Sequence, residues 1–152
     1  MSPEKKTVLT RILAEGYGPG AWHGPDMKAA LTDVPQELAL RRPAPGRHNI
    51  AEIAVHHAFY VHSVRGRLSG TAIEPFPFEG EDWFQVQLPW SKVQALVADQ
   101  YELLAGVVSD IAAQRLKSPL GDDEVFQLVL GITCHAAYHA GQIQLIRRLA
   151  EA

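Results

Sequence analysis

Two histidines, His135 and His139, lie four residues apart in a segment whose apolar residues repeat with the period of a helix. Residues at positions i and i+4 of a helix lie one above the other on the same face. Two imidazoles held in this way form half of a metal site, and zinc, nickel, copper and iron all accept imidazole. The alternative is that each histidine hydrogen-bonds to a neighbouring helix and binds nothing, since this spacing alone is half of a motif.

A second histidine-rich segment, residues 52–57, could supply the remaining ligands. The period of its aliphatic residues puts His57 near the centre of the inward stripe and His56 at the edge of that stripe. Glu52 lies one turn before His56, where it could orient a His56 ligand, bind the metal itself, or remain a solvated carboxylate in the first helical turn. The pattern therefore leaves open which side chain of this segment faces the metal.

Three histidines with one position left for water or substrate are typical of a catalytic metal site rather than a structural one. A zinc-like ion in such a site would lower the pKa of bound water or bind a thiol as the thiolate. The other metal chemistry of helical bundles, a di-iron carboxylate site, needs Glu-x-x-His pairs. This sequence contains none, which excludes that alternative.

Four long segments with a helical period must position these histidines, and strand-like alternation is nearly absent. Their expected bounds are Glu4 to about Tyr17, Asn49 to about Leu68, Ser91 to about Leu116, and Asp122 almost to the end of the chain. Asn49 is the expected N-cap of the second helix, and Ser91 with Gln94 fits a capping box for the third. The fold expected is all-α, a four-helix bundle formed by one domain over residues 1–152.

The expected inward positions follow from the same period. They are Val8, Ile12 and Leu13 in the first helix, Val93, Val97, Leu104, Val107 and Ile111 in the third, and Leu128, Ile132, His135, His139, Gln142, Ile146 and Leu149 in the fourth. Tyr138 is expected to pack against a neighbouring helix, Cys134 to be a small buried side chain, and Gly141 to mark a close contact. The aperiodic stretch 71–89 is expected to be a functional loop or lid.

The bulk properties describe an ordinary globular protein of 152 residues, 47% of them hydrophobic and 20% charged. A formal net charge of −3 argues against a nucleic-acid partner, which would require clustered Lys and Arg. The N-terminal residues run into an amphipathic segment rather than the apolar core of a signal peptide, and no stretch is apolar enough to span a membrane. The single cysteine, Cys134, allows no internal disulfide, so we expect a cytoplasmic protein.

Residues 131–143, Gly-Ile-Thr-Cys-His-Ala-Ala-Tyr-His-Ala-Gly-Gln-Ile, resemble the signature of the DinB/YfiT-like metal-dependent enzymes. So do residues 49–56, Asn-Ile-Ala-Glu-Ile-Ala-Val-His, and further similarity in residues 22–25, 42–46 and 82–83 extends the resemblance over most of the chain. The resemblance implies a four-helix bundle that binds one divalent ion through His56, His135 and His139. The ion expected is zinc or nickel, with iron and manganese as alternatives. Where the family usually has a bulky aliphatic residue, this chain has His57, which is therefore the next choice of ligand after His56.

Some relatives of this fold are thiol-dependent transferases or isomerases that use low-molecular-weight thiols, and dimers are common among them. The leading hypothesis is therefore a homodimeric metal-dependent transferase or hydrolase that acts on a small molecule, such as a low-molecular-weight thiol. The alternative is a bundle that binds a metal, a small ligand or a protein partner without catalysis, as a stress-associated interaction protein. Fold and metal alone do not decide between these two functions.

Overall fold

The computed structural model describes residues 3–18 and 20–151, with side chains from residue 8 onward. These residues contain six α-helices and no strand. The helices are α1 (Pro3–Tyr17), α2 (Met27–Leu31), α3 (Gln36–Leu40), α4 (Ile50–Ser69), α5 (Trp90–Ala112) and α6 (Asp122–Glu151). The expected all-α class is confirmed. Two short helices, α2 and α3, precede α4 in a stretch where prolines prevent a longer helix. Among the described helices, none combines the length and the hydrophobicity of a transmembrane segment.

Helix α4 begins and ends as the sequence predicts. The Asn49 side chain accepts a hydrogen bond of 2.8 Å from the backbone N–H of Glu52, and the Glu52 carboxylate accepts one of 3.2 Å from the backbone N–H of Asn49. This capping box satisfies N–H groups that otherwise have no partner in the first turn. Gly70 ends the helix in the left-handed region at φ 65°, a conformation that other residues adopt only with strain.

Helix α5 differs from the prediction at both ends. It begins at Trp90 after Pro89, no side chain caps it, and the predicted capping box of Ser91 and Gln94 is wrong. The Gln94 amide instead donates to the carbonyl of Leu31 at 2.9 Å, because α2 ends against the first turns of α5. The helix stops at Ala112 and not near residue 116, since Gln114 turns into the left-handed region at φ 61°.

The long helices contact one another in four pairs: α4 with α5, α1 with α6, α4 with α6, and α1 with α5. One part of the interior is an almost wholly aliphatic set that we call the aliphatic cluster. It consists of Leu9, Leu13, Val61, Val64, Leu68, Tyr101, Leu104, Val108, Ile111, Val125, Val129 and Ile132. A second apolar cluster surrounds the beginning of α4 and the second half of α6, where α2 and α3 cover it.

Several inward positions are shifted by one residue from the prediction. Val8 is 44% exposed and its neighbour Leu9 is fully buried, while Val108 replaces Val107 as the most buried side chain of its turn. One residue is about 100° of rotation around a helix. The apolar stripe is wide enough to permit either rotation, and the contacts of α1 and α5 with their neighbouring helices select one. Leu149, also predicted inward, is 66% exposed near the end of α6.

Candidate metal centre

Three histidine side chains from two helices converge where α4 contacts α6. The Nε2 atom of His135 lies 3.2 Å from Nε2 of His56 and 3.1 Å from Nε2 of His139. The i, i+4 spacing on α6 supplies one pair, and the packing of α6 on α4 brings the third ring to it. One nitrogen from each of the three rings lies within 4.8 Å of the other two.

Two of these spacings fit the radius of a first-row divalent ion. Imidazole nitrogens bind zinc at about 2.0–2.1 Å, so two of them on one ion lie roughly 2.8–3.4 Å apart at angles between octahedral and tetrahedral. The two Nε2 separations from His135, 3.1 and 3.2 Å, fall in this range. The donor set is also the one that zinc, nickel and similar ions accept. The residues present therefore fit a metal ion.

The outer nitrogens of two of these rings are held by oxygen acceptors. The Nδ1–H of His56 donates to the backbone carbonyl of Asp82 at 2.6 Å, and the Nδ1–H of His139 donates to Oε1 of Gln142 at 2.7 Å. An acceptor on Nδ1 fixes the proton there and leaves the Nε2 lone pair free. Ligand histidines in metalloproteins are oriented in this way. Gln142 is half-buried and makes this bond within its own helix, not with a neighbouring one.

His57 lies behind His135 and does not join the three converging nitrogens. Its side chain is fully buried, and its Nδ1 atom lies 2.9 Å from Nδ1 of His135, on the ring edge that faces away from His56 and His139. The structure thus brings His56 into the cluster and leaves His57 one ring further away, although the aliphatic period alone favours His57. We call these four side chains, His56, His57, His135 and His139, the histidine cluster.

Glu52 neither joins the three converging histidines nor orients His56, the two roles at a metal that its position allowed. Its carboxylate is buried and accepts hydrogen bonds from Arg42, from the backbone N–H of Asn49 and from Nδ1 of His48 at 3.2 Å. The expectation that Glu52 is a solvated carboxylate is therefore wrong as well. The residue holds the start of α4 against the segment that precedes it.

The loop before α5 lies against the histidines through an aromatic stack. The indole of Trp83 lies between two imidazoles, 3.9 Å from the ring centre of His56 and 3.6 Å from that of His48, with interplanar angles of 7° and 4°. Asp82 has a left-handed backbone at φ 68°, and its carboxylate accepts a hydrogen bond of 2.9 Å from the Tyr60 hydroxyl. The stretch 71–89 thus covers His56 and is fastened to α4. Helical periodicity carries no information about a loop, so it did not predict the contacts of Asp82 and Trp83 with α4. The only local signal in the sequence is a turn-forming aspartate directly before a tryptophan.

Burial keeps three of these side chains, His57, His135 and His139, neutral. It lowers the pKa of His135 to about 4, with smaller effects from His139 and His56. Burial likewise lowers the pKa of His139, and it lowers that of His57 well below 6.5. Neutral imidazoles are the form that binds a metal ion, so His135 and His139 do not have to lose protons at neutral pH before they bind one.

Three expectations for neighbouring residues of α6 are wrong. Cys134 is exposed, and Tyr138 is 64% exposed with its ring against His139. Gly141 is exposed, and a Cβ atom built on it would meet no neighbour within 4 Å. All three lie on the side of α6 that no other described helix covers.

A sequence model of the DinB superfamily matches residues 21–143, which include all four histidines of the cluster. The chain belongs to the DinB superfamily. Searches of curated proteins and of solved structures found no significant match. Membership of this superfamily agrees with the all-helical fold and with the histidine signature on α4 and α6, and it leaves the reaction open.

Proposed function

We propose that this DinB-superfamily protein binds one divalent metal ion through Nε2 of His56, His135 and His139 and is a metal-dependent transferase or hydrolase. The observation that carries the proposal is the convergence of three Nε2 atoms, two of them on rings whose Nδ1 protons are held outward by Asp82 and Gln142. Zinc or nickel is the ion that we favour, with iron and manganese as alternatives.

Three protein ligands leave at least one coordination position for a substrate or water. An ion held there would lower the pKa of a water molecule or of a thiol that reaches it. His135 is partly exposed, whereas His56 and His139 are buried, so a substrate would reach the cluster on the side of His135. Tyr60 and Tyr138, both exposed, border that side. We propose a small molecule, such as a low-molecular-weight thiol, as the substrate.

The same proposal includes the larger architecture. We interpret α1, α4, α5 and α6 as a four-helix bundle, with residues 1–152 forming one domain that acts in the cytoplasm. The exposed apolar side chains of α6 support a homodimer, because a helix face of this kind usually packs against a partner. They are Phe126, Leu130, Tyr138, Leu145 and Leu149.

A second candidate is a bundle that binds a metal ion without catalysis. It is favoured by the state of two polar side chains that contact the ligand rings. Asp82 accepts a hydrogen bond from Tyr60, and Gln142 accepts one from His139, so both already hold other groups in place. The Gln142 amide neither takes up nor releases a proton, and proton transfer through the Asp82 carboxylate would require it to exchange its partner Tyr60.

Metal content tests the site. The purified protein should contain about one divalent ion per chain, and His135→Ala and His139→Ala should each reduce this to near zero. Cys134→Ala is the matched control, because it changes the neighbouring but exposed position of α6 and should keep the ion. An ion retained in both histidine variants would refute the assignment.

Activity distinguishes the two candidate functions. Low-molecular-weight thiols with electrophilic acceptors, and a set of hydrolase substrates, would be assayed before and after treatment with a chelator. Turnover that the chelator abolishes and the added metal restores supports the enzyme. Full metal content without turnover favours the binding protein.

A further inference from the structure

We infer that His57 is a positioning residue, which holds His135 in the tautomer that binds metal; this inference rests on the metal site proposed above. The geometry that carries it is the 2.9 Å contact between the Nδ1 atoms of the two rings. The other side of the His135 ring presents Nε2 to His56 and His139. His135 therefore lies between His57 and the proposed metal.

Two nitrogens at this distance share one proton, because two N–H groups would repel each other and two lone pairs would form no bond. For His135 to bind metal through Nε2 as a neutral ring, its own proton must be on Nδ1. Nδ1 of His57 must then be the acceptor, and His57 carries its proton on Nε2. His57 thus does for His135 what the Asp82 carbonyl does for His56 and what Gln142 does for His139.

Packing does not account for a histidine at this position. Its Nε2 atom is buried and has no hydrogen-bond partner among the described residues. Such a group lowers the stability of the folded protein, a cost that a leucine would avoid. A leucine could not accept the proton of His135. The polar side chain is explained by its contact with the ligand ring.

Metal affinity of matched variants tests this role. His57→Leu removes the acceptor and keeps the volume roughly constant, and zinc should then bind about 10- to 100-fold more weakly, as measured by competition with a chromophoric chelator. His57→Asn places an oxygen acceptor near the position of Nδ1 and should restore most of the lost affinity. The d–d spectrum of the cobalt-substituted protein should change in His57→Leu and return in His57→Asn. Equal affinity and equal spectra in wild type and His57→Leu would overturn the inference.

The position of the proton gives a readout that a packing role would not affect. Nitrogen-15 NMR of the zinc-loaded protein should place the proton of His135 on Nδ1 and that of His57 on Nε2; a proton on Nδ1 of His57 would overturn the inference. Failure of the metal site itself is distinguishable, because wild type would then bind no stoichiometric zinc and His135→Ala would change nothing. Failure of the inference alone leaves wild-type binding intact and dependent on His135.

Discussion

Helices α4 and α6 contribute to two different interiors along their length. In the aliphatic cluster they contribute Val61, Val64 and Leu68 from α4, and Val125, Val129 and Ile132 from α6. Further along the same pair of helices, α4 turns His56 and His57 inward and α6 turns His135 and His139 toward them. The aliphatic side chains show that this pair of helices needs no polar group to pack together.

The two regions contribute differently to stability, and the aliphatic cluster contributes more than the histidine cluster. Each buried aliphatic side chain contributes roughly 1.5–3 kcal/mol through the hydrophobic effect. Each buried imidazole gains less, because it must replace its hydrogen bonds to water with bonds inside the protein. The aliphatic cluster therefore holds the helices together, whereas the histidine cluster adds less to stability, which agrees with the metal-binding role that we propose for it.

The largest effect should come from a cavity in the aliphatic cluster. Leu104 is fully buried, so Leu104→Ala should lower the free energy of unfolding by about 2–5 kcal/mol. His139→Leu in the metal-free protein should change it by less than about 1 kcal/mol, because an apolar side chain replaces a polar one and the half-buried Gln142 can turn to solvent. Urea denaturation in the presence of a chelator measures both. Similar losses for the two variants would contradict the separation of roles.

A smaller effect should appear on acidification of the metal-free protein. The unfolded chain binds protons at its histidines as the pH falls through about 6.5, whereas in the folded protein the pKa of His135 is about 4. Between these values the unfolded state binds more protons, so the free energy of unfolding should decrease as the pH falls and should depend little on these groups above about 7. Denaturation midpoints across this window measure the slope.

The pH slope should be shallower in His135→Leu, which removes one of these groups. Leu104→Ala lowers stability without changing a titratable group, so its slope should match that of wild type. An identical slope in wild type and His135→Leu would show that the histidine cluster does not cause the acid sensitivity.

The smallest effect should come from the aromatic stack at the edge of the histidine cluster. Trp83→Leu removes the ring that lies on His56, and a stack of this kind is worth about 0.5–1.5 kcal/mol. Zinc binding should therefore weaken by roughly two- to tenfold. Trp22→Leu is the matched control, since Trp22 is 92% exposed, and it should leave the zinc affinity unchanged. Equal affinities for both variants would exclude a role of the stack in holding His56.

The sequence by itself determined the all-helical class, both ends of α4 and the joint orientation of His135 and His139. These features depend on contacts between residues three or four positions apart, which spacing and residue type describe fully. The N-cap at Asn49 belongs to the same group. The family resemblance was also visible in the sequence, and the match over residues 21–143 confirms it.

Spacing and period did not decide which histidine of α4 meets the pair on α6; the family resemblance implied His56, and the tertiary structure shows how it is selected. The aliphatic period favours His57, but the rotation of α4 against α6 and the loop that fastens His56 through Asp82 and Trp83 select His56. The same holds for the rotation of α1, the start of α5, and the exposure of Cys134 and Gly141. The physical reason is that a helix presents a stripe wide enough for several rotations, and only contacts between residues distant in the chain choose among them.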